Sequence, residues 1–231
     1  MFSQNHGLKG LKDSTDNTGS KKSMTSELSG KIRDSDNEVW EERTLGEIAF
    51  VKSGGTPSRA KKEYWEGNIA WYSSGELNAM YTKNPERHIN ELAINNSNAK
   101  VFSKGSLLIG MYDTAALKMS IIDRDATFNQ AIAGVKPNSK IDLIFILHSI
   151  NSIKPELLNL RRGVRQKNLS LEKIKKIPIL LPSIKIQQAI VQKLDALSTE
   201  TKQLETIYKQ KINDLEELKK SVLQKAFSGE L

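Results

Sequence analysis

The 231-residue chain carries 27% charged and 38% hydrophobic residues, which excludes a wholly disordered polymer and leaves room for one buried domain plus an appendage, or two small domains. Its 35 Lys and Arg against 27 Asp and Glu leave a net charge of +8, a balance that favours polyanionic partners, nucleic acid above all or an anionic membrane surface. The absence of cysteine excludes disulfides, thiolate metal sites and cysteine nucleophiles; with no apolar signal core and no run near the ~20 apolar residues of a membrane span, a cytoplasmic protein with no membrane partner is expected.

Residues 1–38 are rich in Ser, Asn, Asp, Gly and Lys, and their six basic and six acidic side chains cancel. With almost no large apolar residues they are expected to be disordered or loosely attached. Residues 39–182 hold all three Trp and four of the five Tyr, and short apolar runs alternate with turn signals. This predicts one globular domain of mixed α/β (α+β) class. It holds 21 basic and 14 acidic residues, so +7 of the +8 lies here.

Gly54-Gly55-Thr56-Pro57-Ser58 opens the domain's motifs. No Gly-Lys-Ser/Thr follows, so it is not a phosphate-binding P-loop. It reads either as a tight turn after a strand ending near Val51, or as a backbone nest whose hydroxyls at Thr56 and Ser58 meet DNA phosphate. Arg59, Lys61 and Lys62 follow, interleaved with Tyr64, Trp65, Trp71 and Tyr72. The aromatic rings are expected to pack and the three cations to face phosphates. Residues 106–111 (S-L-L-I-G-M) and 176–181 (K-I-P-I-L-L) predict strands. Residues 141–150 read either as a buried helix or as a strand, with helix favoured because Asp142 and His148 interrupt the apolar run at helical spacing. His148 is expected to be a satisfied core residue rather than a general base. Arg161, Arg162, Arg165, Gln166, Lys167 and Asn168 surround Gly163 in the densest basic stretch. Arginine can grip phosphate or a guanine edge, and the amides can pair with adenine, so the stretch reads as a DNA contact or as a solvated loop.

From residue 183 the chain loses Gly and Pro almost to its end. Ile190, Leu194, Leu197, Thr201, Leu204, Tyr208, Lys211, Leu215, Leu218 and Val222 keep a 4-3-4-3 spacing. This predicts a long coiled-coil helix over 183–231, with Gly229 as its stop. Ile190, Leu194, Leu197, Leu204, Tyr208, Leu215, Leu218 and Val222 are the candidate interface with a partner helix. The other reading is a surface helix packed on its own domain.

Catalytic patterns do not emerge. The three His (His6, His88, His148) lack metal-ligand spacing, there is no Gly-x-Ser-x-Gly, and neither a methyltransferase motif pair nor a Pro-Asp nuclease site appears. Glu217-Leu218-Lys219 has the acidic-x-Lys form but no partner aspartate, so it reads as helix surface. No catalytic residue and no metal ligand is assigned.

Leu45-Gly46-Glu47-Ile48, the Gly54–Ser58 run and Glu63-Tyr64-Trp65-Glu66-Gly67-Asn68-Ile69-Ala70-Trp71 together resemble the start of a target-recognition domain in specificity (S) subunits of type I restriction-modification systems. Phe102-Ser103-Lys104-Gly105-Ser106-Leu107-Leu108-Ile109 and Asn129-Gln130-Ala131-Ile132 resemble its middle. Gln166-Lys167-Asn168-Leu169-Ser170, Ile177-Pro178-Ile179-Leu180-Leu181-Pro182 and Gln187-Gln188 resemble its exit, and residues 215–231 resemble the family's helix terminus. The resemblance covers about 190 residues in order. It implies a non-catalytic subunit that reads one half of a split double-stranded DNA target and scaffolds methyltransferase (M) and restriction (R) subunits. S-adenosylmethionine, ATP and magnesium would then belong to those partners and no cofactor to this chain. The usual subunit has two recognition domains and this chain has one, while residues 21–40 resemble the junction between halves. A half-length subunit is therefore expected, pairing with a second S half, as homodimer or heterodimer, through the coiled coil. A nuclease or methyltransferase with an unrecognised site is the alternative. The resemblance also makes Gln166 and Asn168 part of a motif that recurs across targets, which argues for positioning rather than base reading. The loops at 74–87 and 112–118 lie outside the recurring motifs. Their Asn78, Lys83, Arg87, Tyr112 and Lys118 are the expected base readers.

Overall fold

The computed structural model describes residues 32–33, 39–159 and 168–229. The domain within it is built as stacked layers, and the reason lies in the strand sequences. The four-stranded antiparallel sheet is ordered β3 (Val51–Ser53), β9 (Ile132–Val135), β6 (Leu107–Gly110), β7 (Met119–Ile121). All four β6 residues are buried. Side chains alternate across a strand, so a sheet covered on both faces needs apolar residues at every position. Leu107 and Ile109 accordingly enter one core and Leu108 the opposite one. The first core is covered by α3 (Leu143–Asn159), α4 (Leu171–Lys175) and the start of α5 (Ile184–Ser228). The second lies against a smaller sheet, β5 (Arg87–Ile89), β4 (Ile69–Tyr72), β8 (Ala126–Phe128), in which β4 is antiparallel to β5 and parallel to β8. In β4, Ala70 and Tyr72 face this second core. Trp71 faces outward, into a third cluster with Tyr64, Ile89, Ala93 and Ala99 that α2 (Glu91–Asn95) helps to cover.

The strand predicted at 106–111 is β6 and that at 176–181 is β10 (Pro178–Leu181). The helix predicted at 141–150 is α3, extended to Asn159 through an internal Pro155. Pro155 has no N–H to donate, but the helix continues because its inner face (Leu143, Phe145, Ile146, Leu147, Ile150) is already packed. β10 pairs antiparallel with β2 (Val39–Thr44), which also pairs with β1 (Ile32–Arg33). Ile32–Arg33 falls in the stretch expected to be disordered or loosely attached, and it forms ladder pairs with Val39 and Trp40. The rest of 1–38 lies outside the described residues. The strand expected to end near Val51 instead begins there. His148 was expected to be a satisfied core residue; among the described residues its Nε2 is buried with no hydrogen-bond partner, as is Nε1 of Trp40.

α5 runs 45 residues, about 68 Å at 1.5 Å per residue, from the N-cap Ser183 to Gly229, whose φ of 77° makes the left-handed C-cap. Its root is locked by Gln187, which is fully buried. The Oε1 accepts from the Asp142 N–H at 2.8 Å, and Nε2 donates to the Pro182 and Lys140 carbonyls at 2.9 and 3.2 Å. Val191 is buried and Ile190 packs on the same core. From Asp195 to Gly229 every residue is exposed. The predicted seam therefore divides. Ile190, with Leu194 half-buried, belongs to the domain's edge, whereas Leu197, Leu204, Tyr208, Leu215, Leu218 and Val222 are open at 45–64%. Ile207 and Ile212 flank that stripe and are also exposed, making it wider than the 4-3 spacing alone marks out.

Candidate nucleic-acid interface

Two connections that are distant in sequence meet edge to edge on the β7 side of the sheet. Residues 78–84 run alongside 118–124 in parallel. The Met80 carbonyl accepts from the Ile121 N–H at 2.7 Å and the Ile121 carbonyl accepts from the Thr82 N–H at 3.0 Å. The buried Ser120 hydroxyl donates to the Ala79 carbonyl at 2.6 Å. Polar side chains continue the pairing. Lys118 Nζ donates to Asn78 Oδ1 at 3.0 Å, the Thr82 hydroxyl to Asp123 Oδ1 at 3.2 Å, and Arg124 Nη2 to Asn84 Oδ1 at 3.0 Å. Arg124 also grips its neighbour Asp123 through Nε and Nη2, at 2.9 and 2.8 Å. These bonds, led by that from Arg124, hold the Asp123 carboxyl below the ordinary aspartate range.

The first loop is closed on itself. Glu76 accepts from the Ser73 N–H at 2.7 Å and from the Glu86 N–H at 3.0 Å, so one carboxylate ties both ends. The Tyr72 hydroxyl reaches the Lys83 carbonyl at 2.8 Å, and burial raises that phenol's pKa. The second loop is closed by β6 and β7. The Gly110 N–H donates to the Lys118 carbonyl and the Leu117 N–H to the Gly110 carbonyl, both at 2.8 Å. A Cβ at Gly110 would lie 2.1 Å from the Ala115 carbonyl oxygen, so only glycine lets the loop fold this tightly. Leu117 takes a left-handed φ of 55° and is fully buried, which anchors the loop beneath Lys118. Tyr112 is half-buried against the main core. The basic stretch has its exit at the same place, because the Leu169 N–H donates to the Met111 carbonyl at 2.8 Å. Asn168, just before it, is exposed. Arg161, Arg162, Arg165, Gln166 and Lys167 lie outside the described residues.

The other expected contacts separate from this cluster. Gly54 and Gly55 are buried, and their N–H groups donate to the Ile132 and Phe128 carbonyls at 3.2 and 2.8 Å. The nest reading is overturned, because those donors are already spent inside the protein. Thr56 still reaches outward, with its hydroxyl donating to Gln130 Oε1 at 2.6 Å, and Ser58 is exposed. Trp71 packs as expected and donates to the Gly55 carbonyl at 3.0 Å. Trp65 is half-buried, edge-on to Trp71 at 5.0 Å, with the Arg87 guanidinium 5.6 Å from its ring centre. It lines an open groove of about 410 Å³ with Glu66, Gly67, Glu86, Arg87 and His88. Arg87 therefore sits in this groove, not in the Asn78–Lys118 pairing. Arg59, Lys61 and Lys62 are exposed, and Lys61 bonds the Tyr64 hydroxyl at 3.0 Å, which raises its pKa. Reading the sequence missed Glu76, Asp123, Arg124 and Gln130. Glu76 carried a signal, the Ser-x-x-Glu capping box at residues 73–76. The others act through partners roughly 40 to 74 residues away, and local spacing gives no sign of those.

Among the described residues no three His, Cys, Asp or Glu are grouped to hold a metal ion, and no helix is long and apolar enough to cross a membrane. Residues 37–217 match the type I restriction modification DNA specificity domain. The chain belongs to that family. Within the type I specificity family it is 32% identical over 165 residues to the EcoR124I/EcoR124II specificity subunit of Escherichia coli, covering 69% of this chain and 41% of that protein. It is 26% identical over 179 residues to the MjaIX specificity subunit of Methanocaldococcus jannaschii, covering 74% and 41%. The fold is similar to the crystal structure of the HsdS subunit from Thermoanaerobacter tengcongensis, with a TM-score of 0.62 at 19% identity over 83% of this chain and 45% of that one. A second solved chain, from work on complex assembly and conformational transition of the type I R-M system, gives 0.64 at 19% identity over 83% and 46%. The chain thus spans about two fifths of the length of the curated relatives it matches.

Proposed function

We propose that this chain is a non-catalytic, DNA-sequence-reading specificity subunit of a type I restriction-modification complex. It reads one half of a split target with its domain (residues 39–182) and presents the exposed part of α5 to a second specificity half. In such a complex it would scaffold M and R subunits, which would carry S-adenosylmethionine, ATP and magnesium. The observation that carries the reading is the convergence of the 78–84 and 112–118 segments with the exit of the basic stretch at Leu169, on a domain matched to a DNA specificity family. The loops are closed by their own hydrogen bonds, so side chains at their tips can differ without disturbing the sheet. That is what a reader of changing targets needs. The basic stretch at 161–167 would supply phosphate contacts, which position the duplex without reading it.

The test is duplex binding across salt concentrations by the full chain and by Arg161→Ala and Arg165→Ala. Each variant should weaken binding to specific and random DNA alike, and each should flatten the log–log salt slope by about one unit. Turnover of DNA by the chain alone, with magnesium or with S-adenosylmethionine, would overturn the reading in favour of an enzyme.

A further inference from the structure

The Asn78–Lys118 pair has a hydrogen-bond account that can be closed. The Asn78 amide is fixed in one orientation, with Nδ2 donating to the Gly75 carbonyl at 2.6 Å and Oδ1 accepting from Lys118 Nζ at 3.0 Å. Turning the amide over would set its NH₂ against an ammonium and its oxygen against a carbonyl, so the reverse orientation is excluded. Asn78 is exposed and Lys118 half-exposed. Among the described residues the hydrogen-bond partner of the Lys118 ammonium is a neutral amide oxygen. Beyond these bonds the ammonium has two further N–H groups to offer and the amide one. The outward face of the pair is an array of three donors under a positive charge.

Both donors are held from behind. The Lys118 backbone is fixed through both its carbonyl and its N–H, which donates to the Ala115 carbonyl at 2.9 Å, with Leu117 buried beneath it. The Asn78 N–H donates to the Glu76 carbonyl at 2.9 Å. A preset donor array of this kind discriminates among base edges in the major groove. Guanine alone offers two adjacent acceptors there, N7 and O6. Adenine and cytosine each present an amino group that would meet these donors head-on, and thymine presents one acceptor beside a methyl group.

We infer that Asn78 and Lys118 together read a guanine in the half-target. The inference rests on the reading that the 78–84 and 112–118 segments face the duplex, and it adds the identity of the base. The experiment is selection from a randomised duplex library by the full chain, by Lys118→Ala and by Asn78→Asp, with thermal unfolding of each variant as a fold control. Asn78→Asp sets a carboxylate against the ammonium and draws it into an ion pair while keeping the side chain's shape. Wild type should select a guanine at one position. Both variants should lose that preference there alone, by roughly five- to hundred-fold, while preferences elsewhere stay. If Lys118→Ala instead alters a position selected as adenine, cytosine or thymine, the guanine assignment is overturned and the reading of the loops as base readers stands. Unchanged selection in both variants removes Asn78 and Lys118 from base reading altogether. An absence of any sequence selection by the wild type would overturn the proposed function and this inference with it.

Discussion

Gly54 shows how a residue chosen for close packing resembles one chosen for a ligand. A Cβ there would lie 2.0 Å from the Phe128 carbonyl oxygen and 2.5 Å from its ring, at the end of β8 where Phe128 enters the second core. Gly54→Ala should therefore lower stability by about 1–3 kcal/mol or more, read as a fall in the thermal midpoint, because neither backbone nor ring can step aside cheaply. A wild-type midpoint would show that the crossing relaxes. Asp123 is the opposite case, a surface charge whose worth lies in its partners. Its carboxyl is held below the ordinary aspartate value by Arg124 first and by the Thr82 hydroxyl after it. A depressed folded value means that the stabilisation is present above the unfolded-state value and is lost as pH falls through the folded one. Unfolding midpoints of wild type and Asp123→Asn should therefore differ at neutral pH and converge as pH drops below the ordinary aspartate range. The magnitude will be modest, since the group is open to water. A constant difference at all pH values would mean that the ion pair is not the cause.

At the scale of elements, β6 and β10 were legible as short apolar runs bounded by turn signals, whereas the α3 run was open to helix or strand and only the spacing of Asp142 and His148 favoured helix. The long α5 was legible because its heptads carry no competing signal. Where α5 leaves the domain was not legible. Ile190 fits the same 4-3 register as Leu204, and only packing tells that Ile190 rests on the core while Leu204 faces solvent. The site divides in the same way. Asn78 and Lys118 were expected on separate loops, but their pairing depends on 78–84 lying parallel to 118–124, a register set by backbone bonds across some 40 residues. The Gly-Gly run was open to two readings because loop chemistry looks the same whether its N–H groups point in or out. Gln187 is the element-scale counterpart of these lessons. It is a polar residue in a helix's first turn, fully buried, and it joins the N-terminus of α3, the end of β10 and the root of α5. Gln187→Leu fills similar space but strands the Asp142 N–H and two carbonyls. It should destabilise the domain by about 1–3 kcal/mol by chemical denaturation. A neutral result would mean that water replaces the amide.

Over the described residues, a layered domain carries about 50 Å of helix, from Asp195 to Ser228, in which every residue is exposed. Six seam positions with Ile207 and Ile212 give that helix an apolar stripe in water. Leu204→Lys with Leu215→Lys should abolish self-association or pairing with a second specificity half, because each would place an unpaired charge in the seam. Sedimentation or light scattering of wild type and double variant will decide, and a compact wild-type monomer at every concentration would refute the pairing. The same bare helix has a thermodynamic consequence. A helix without tertiary contacts is held only by its own marginal propensity, whereas the domain is held by three cores. Protection of backbone amides against deuterium should therefore fall into two classes. In α3 and β6 it should be independent of protein concentration. Beyond residue 195 it should climb with concentration, as association supplies the stability that the isolated rod lacks.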